Sequence, residues 1–121
     1  MQKSVANWID KLLDTEIPEK VVAFCFNLYE EGDGTWSMEL VGTDWFDLED
    51  EDWACNELTD FGSRECLYTW EADCEWEDAL HDMVDALNLY LANGTHAELL
   101  KSKIGVGVGF VDGNLEILHH K

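Results

Sequence analysis

Hydrophobic and polar positions recur along this chain with two different periods, and the changes of period mark out its elements. Over residues 3–15, Val5, Trp8, Ile9, Leu12 and Leu13 return at the three- and four-residue spacing of one helix face. Ser4 is a candidate N-cap, and Pro18 stops the helix because the residue before a proline is pushed away from helical angles. Residues 20–30, KVVAFCFNLYE, are rich in β-branched and aromatic types and predict a strand. Val22, Phe24, Phe26 and Leu28 fall on one face of it, and Val21, Ala23, Cys25, Asn27 and Tyr29 on the other. Both sets are mostly apolar, as in a central strand covered on both sides. The EGDG run at 31–34 signals a turn, and residues 35–42 alternate Trp36, Met38 and Leu40 with Thr35, Ser37 and Glu39, as the partner strand of a hairpin.

Residues 44–64 fit two patterns: a short helix led by acids, or an irregular loop pinned by Trp45, Phe46 and Trp53. Phe61 to Ser63 reads as a break, and residues 65–71 as a third strand with Cys66, Tyr68 and Trp70 on one face. The strongest helical pattern covers 74–92. There Asp73 can cap, Glu75, Glu77 and Asp78 complement the macrodipole, and Trp76, Leu80, Met83, Val84, Leu87 and Leu91 form the buried stripe. Asn93-Gly94 ends it, and residues 95–101 add a short helical turn. Residues 103–111 predict a strand in which Ile104, Val106, Val108 and Phe110 oppose a bare face of Gly105, Gly107 and Gly109. A helix or another backbone can approach such a face closely. Asp112-Gly113 signals a tight hairpin turn, and residues 114–119 return as the last strand. The expected fold is α+β: a mainly antiparallel sheet of about five strands, with two main helices packed on one face.

Length adds that residues 1–121 form a single domain, able to bury a core without staples. Charge changes the picture more. The formal net charge is −20, and residues 44–85 hold sixteen of the 27 acidic residues and one cation, Arg64. That is a net −15 in one third of the chain, against −5 in the remainder. Disorder normally goes with few aromatics, yet Trp45, Trp53, Trp70 and Trp76 lie within the acidic region. The asymmetry therefore reads as a directed field on a folded surface that attracts a basic partner. The same field repels phosphates, so no direct nucleic acid binding and no binding to anionic membrane is expected. The N-terminal stretch MQKSVANWIDKLLDTE lacks the apolar run of a signal peptide, and no stretch reaches the ~20 apolar residues that span a bilayer. A cytoplasmic location is expected. Cys25, Cys55, Cys66 and Cys74 are then reduced, and Cys25 reads as a buried strand residue.

Candidate chemistry narrows the function without adding a reaction. Carboxylates are too abundant for any pair to single itself out as an acid and base, and no catalytic residues are assigned. His81 reads as a solvated helix histidine, and His119 and His120 as a fraying end. Cys55, Cys66, Cys74 and His81 match no recurring zinc spacing. A calcium loop starting at Asp47 would need glycine at its sixth position and glutamate at its twelfth, where Asp52 and Leu58 stand. Gly105, Gly107 and Gly109 lie inside a strand and lack the dinucleotide spacing. No metal and no cofactor is expected.

Two functional readings remain. In the first, Asp47, Glu49, Asp50, Glu51 and Asp52, with the helix flank Glu75, Glu77, Asp78 and Asp82, pair with lysines and arginines of a partner, and Trp53 serves as an apolar anchor. The hairpin IGVGVGFVDGNLEIL, the acidic tryptophan-containing middle and the short α+β chain resemble bacterial toxin-immunity proteins of the polymorphic-toxin and contact-dependent inhibition type. That resemblance implies a cytoplasmic, non-enzymatic inhibitor in a tight complex with a toxin domain, often a nuclease. Phage-encoded DNA-mimic inhibitors are similar in charge and size. In the second reading, Trp36, Trp45, Trp53 and Trp70 wall an apolar pocket of a small enzyme or ligand-binding domain.

Overall fold

The computed structural model describes residues 2–55, 57–63, 66–110, 113 and 115–121. The apolar face of residues 3–15 forms helix α1 (Gln2–Leu13). Val5, Ile9 and Leu13 are buried along it. Ser4 lies inside the helix and not at its cap; its hydroxyl is 2.7 Å from the Tyr68 hydroxyl. Strands β1 (Ala23–Gly32) and β2 (Thr35–Thr43) form the expected antiparallel hairpin. Its turn places Gly32, Asp33 and Gly34 at positive φ, a region that glycine enters at little cost and aspartate tolerates.

A 3₁₀ turn (Glu51–Cys55) and strands β3 (Glu57–Gly62) and β4 (Tyr68–Glu71) follow. The sequence pattern does not predict β3, which overlaps the expected break at Phe61 to Ser63. It joins the sheet as a short edge segment on β2, with Val41 paired to Gly62 and Thr43 to Glu57 across an irregularity. The pattern is faint because few residues of β3 need to be apolar at an edge. Glu65, the first residue of the predicted third strand, lies outside the described residues; β4 begins at Tyr68.

Helix α2 (Trp76–Asn93) then crosses the sheet, followed by α3 (Ala97–Lys101), β5 (Gly105–Phe110) and β6 (Glu116–His120). The sheet order is β3-β2-β1-β5-β6, with β4 pairing to β2 as well. β3 and β4 thus share one edge, and the six strands among the described residues occupy five lateral positions. The sheet is mixed: β1 and β5 run parallel, Phe24 beside Val106 and Phe26 beside Val108. The other pairings are antiparallel. The parallel pair exists because the chain leaves the β4 edge, passes along α2 and α3, and re-enters beside β1; parallel neighbours need such a crossover. Asp112, half of the predicted hairpin turn between β5 and β6, lies outside the described residues. His119 and His120 do not fray, since both pair in register with β5, and the His119 ring lies 2.9 Å from the Lys101 carbonyl.

The main core lies between the sheet and the helices. Phe24, Phe26 and Leu28 of β1, Trp36, Met38 and Leu40 of β2, and Val106 and Val108 of β5 meet Val5, Ile9, Met83 and Leu87 there. The buried stripe of α2 is rotated from the sequence expectation: Ala79, Met83, Ala86, Leu87, Tyr90 and Leu91 are buried, while Trp76 is 50% exposed. Small alanines let α2 sit close to the sheet, which leaves the indole at the first helical position outside. Glu75, not Asp73, occupies the N-cap position, and its side chain makes no capping bond.

Tyr90 ties α2 to α1. Its hydroxyl donates to Asp10 at 2.6 Å and accepts from the His96 backbone N–H at 3.1 Å. Burial, reinforced by the Asp10 hydrogen bond, raises the phenol pKa. The neutral phenol therefore adds stability that is fully present below the unfolded value near ~10 and is lost as pH rises toward the folded value. Tyr90→Phe should lower stability by about 1–2 kcal/mol at pH 7 and flatten the alkaline fall. Urea melts at pH 7 and above pH 10 check both effects.

Candidate functional site

The side of the sheet away from the helices explains the glycines of β5. Ala23 and Cys25 of β1, Val41 of β2 and Trp53 form a second buried cluster, with Phe46 and Ile117 packed against it. A Cβ at Gly105 would overlap the Phe46 ring, and one at Gly107 would meet the Trp53 ring at 3.1 Å. The bare strand face therefore receives two aromatic rings from the acidic segment, 4.8 Å apart between centroids. Side chains fill it, in place of the helix or second backbone expected there. Trp53 is 1% exposed. It anchors the segment inward, so the outward partner-anchoring role expected of it does not fit this position.

Between those two rings the chain bulges outward. Asp47, Glu49, Asp50, Glu51 and Asp52 are all exposed. The segment combines the two expected conformations: a loop pinned by Phe46 and Trp53, but not by the exposed Trp45, runs into a short 3₁₀ helix led by Glu51 and Asp52. Some of its carboxylates have structural duties. Asp47 accepts from the Glu49 N–H at 2.9 Å and Asp50 from the Asp52 N–H at 3.0 Å, which are local Asx turns. Glu51 accepts from the Leu115 N–H at 3.1 Å, clamping the loop to the chain entering β6. Glu49 and Asp52 carry their charge without such a hydrogen bond among the described residues. Trp45 and Leu48 are 41% and 52% exposed within the same loop, and Trp45 is held through its carbonyl by the Thr43 hydroxyl at 2.9 Å.

The second acidic group, Glu75, Glu77, Asp78 and Asp82, is exposed on the first turns of α2. His81 is exposed beside it, 3.3 Å from Asp85 across one helical turn. Two clefts place the loop and the start of α2 at a common end of the sheet. One, of about 510 Å³, is lined by Leu28, Tyr29, Glu30, Glu31, Trp76 and Phe110. The other, of about 320 Å³, is lined in part by Asn27, Glu39, Glu51, Asp52, Cys55 and Leu115. They adjoin, because Tyr29, Phe110 and Gly113 line both. The sequence pattern gives Glu30 and Glu31 only as the end of a strand and its turn, and it places Trp76 in the core. The signal for Trp76 is its position at the first helical residue, where a side chain extends beyond the packed turns.

The tryptophans assigned to a pocket do not build one together. Trp36 and Trp53 are 1% exposed and Trp70 is 8% exposed, and none of these three, nor Trp45, lines the 510 Å³ cleft. Trp36 instead donates its indole N–H to the Ala72 carbonyl at 3.0 Å and packs on Phe110. All four cysteines are free thiols. Burial, then the neighbouring Cys55 thiol and Glu39, push the Cys25 pKa up to about 12, so it stays protonated and unreactive at neutral pH. Burial, then the carboxylates of Asp78, Asp82, Asp73 and Glu75, raise that of Cys74. Among the described residues no group of three or more His, Cys, Asp or Glu side chains is placed to hold a metal ion, and no helix is long and apolar enough to cross a membrane. The chain matches no protein-family model, no curated protein and no solved structure.

Proposed function

We propose that this protein is an acidic inhibitor that docks on a basic partner and occludes its working surface, most concretely an immunity protein that neutralises a cognate bacterial toxin such as a nuclease. The observation that carries this reading is the Asp47–Asp52 loop, whose exposed carboxylates are held on a platform by the half-buried ring of Phe46 and the buried ring of Trp53. A fixed carboxylate array can occupy the positions at which a cationic cleft binds phosphates, and it loses less entropy on binding than a disordered acidic tail. Trp45 and Leu48 supply apolar contact area at the centre of the charge, the arrangement in which interface anchors are most effective. The protein does no chemistry in this reading and acts in the cytoplasm, where a toxin must be stopped.

The competing reading of a small enzyme or ligand-binding domain loses its main support with the burial of Trp36, Trp53 and Trp70. The test is a cleavage assay with a basic nuclease toxin domain encoded beside this protein. Stoichiometric addition should abolish cleavage at low salt, and the block should weaken as salt rises. Full cleavage at a tenfold excess of this protein would remove the nuclease from the proposal.

A further inference from the structure

The 510 Å³ cleft has a chemistry distinct from the Asp47–Asp52 loop beside it. Its floor is aromatic and its rim is acidic. Phe110 sits between two indoles, with ring centroids 5.8 Å from Trp36 on the buried side and 6.1 Å from Trp76 on the open side. Trp36 is 1% exposed and fixed, while Trp76 is 50% exposed and contributes an indole surface to the opening. Glu30 and Glu31 stand at the mouth as exposed residues at the end of β1, just before the hairpin turn. Trp76 is followed at once by Glu77 and Asp78 on the first turn of α2. The carboxylates that line this apolar surface are Glu30 and Glu31, and the first-turn acids of α2 lie next to Trp76 in the chain.

Few side chains satisfy both halves of that description. A plain apolar side chain would bury its surface but leave the carboxylates unpaired. An ammonium is strongly hydrated and resists leaving water for an aromatic floor. A guanidinium is planar, weakly hydrated and always charged; it stacks on an indole and pairs bidentately with carboxylates at its edge. An anionic metabolite is repelled by the net charge of −20 and by Glu30 and Glu31 in the cleft.

We propose that this cleft is the receptor for a single arginine side chain of the basic partner, stacked on Trp76 and Phe110 and paired with Glu30 and Glu31. The inference rests on the reading of a basic protein partner and adds to it a docking point separate from the Asp47–Asp52 loop. The loop supplies the long-range field. The cleft supplies a short-range fit that distinguishes arginine from lysine.

The experiment is an NMR titration of the full chain at low salt with three capped pentapeptides, Gly-Gly-X-Gly-Gly, in which X is arginine, lysine or citrulline. The arginine peptide should shift the Trp76 indole N–H, assigned by its loss in Trp76→Phe, together with the amides of Glu30 and Glu31. The lysine peptide should bind about three- to tenfold more weakly at those signals. Citrulline, which keeps the shape and loses the charge, should leave them in place. Trp76→Ala should remove the arginine preference, and so should the pair Glu30→Gln and Glu31→Gln. Both variants alter exposed side chains, and a thermal melt on each confirms that the fold is kept. Shifts confined to residues 47–52, or equal shifts with arginine and citrulline, would overturn the cleft proposal and leave the basic-partner reading standing. No shift at either place with the arginine peptide would overturn both.

Discussion

Trp53→Ala is expected to lower the stability of the protein by about 3–5 kcal/mol, with a fall in Tm of roughly 10–20 °C. Trp53 is among the largest fully buried side chains, and it lies on the face of the sheet opposite the helices. Its removal leaves a void against Gly107 and takes the packing partner from Phe46. The helix-side core is made of different residues and should survive, so the damage should appear first in the acidic loop. Hydrogen exchange should show amides of residues 46–55 losing protection well before those of β1 and α2. Gly105→Ala is a second route to the same state. Its added methyl would collide with Phe46 and should cost about 1–3 kcal/mol through overpacking. The control is Trp76→Ala, which touches a half-exposed indole and should cost less than about 1 kcal/mol. If Trp53→Ala and Trp76→Ala had equal effects on stability, the loop would not be held by its aromatic pair.

The second large effect concerns binding. Replacing Asp47, Glu49, Asp50, Glu51 and Asp52 together by their amides should slow association with a basic partner by about 10- to 100-fold at low ionic strength. The dissociation rate should change less, because Trp45, Leu48 and the Trp76 cleft remain. Amides are chosen because the carboxamide carbonyls that replace the Asp47 and Asp50 carboxylates can still close the two Asx turns, and the one that replaces Glu51 can still accept from the Leu115 N–H. Charge is thereby removed without dismantling the loop. Stopped-flow association at several salt concentrations checks the effect. The wild-type rate should fall steeply with salt, and the variant rate should be nearly flat. Coincident curves would show that these carboxylates do not steer the encounter.

Much of the fold is legible because it is written in periodicity. The alternation from Trp36 to Leu40 and the helical positions Met83, Leu87 and Leu91 mark faces that the structure buries, although on β2 the polar set, Ser37 and Glu39, is buried as well. The alternating glycines of β5 also announce a close approach correctly, but not by what. The rings that fill that face belong to Phe46 and Trp53, about fifty to sixty residues earlier in the chain. No local pattern encodes that pairing. The parallel β1–β5 pair is hidden for the same reason, since hairpin signals are local and a crossover neighbour is not.

The candidate site is legible in its charge and less so in its geometry. Exposure of Asp47 to Asp52 and of the α2 acids follows from their polarity, whereas Glu30 and Glu31 pass for strand-end and turn residues until the cleft joins them to Trp76. Two indoles run against expectation in opposite senses. Trp53, expected to face a partner, is buried, and Trp76, expected in the core, stands half outside. A tryptophan in an acidic run has no periodic neighbour to fix its direction, and one at a helix start is released when alanines draw the later turns inward.

The most direct measurement of the central claim is capture of the partner by this protein from cells of its source organism at low salt, with the bound protein eluted by rising salt and identified. The expected result is a basic protein with a nucleic-acid-cleaving or other toxic activity that this protein blocks, released at distinctly lower salt from the five-amide variant. The contradicting result is an acidic or neutral partner, or a basic one that the five-amide variant holds as firmly as the wild type does.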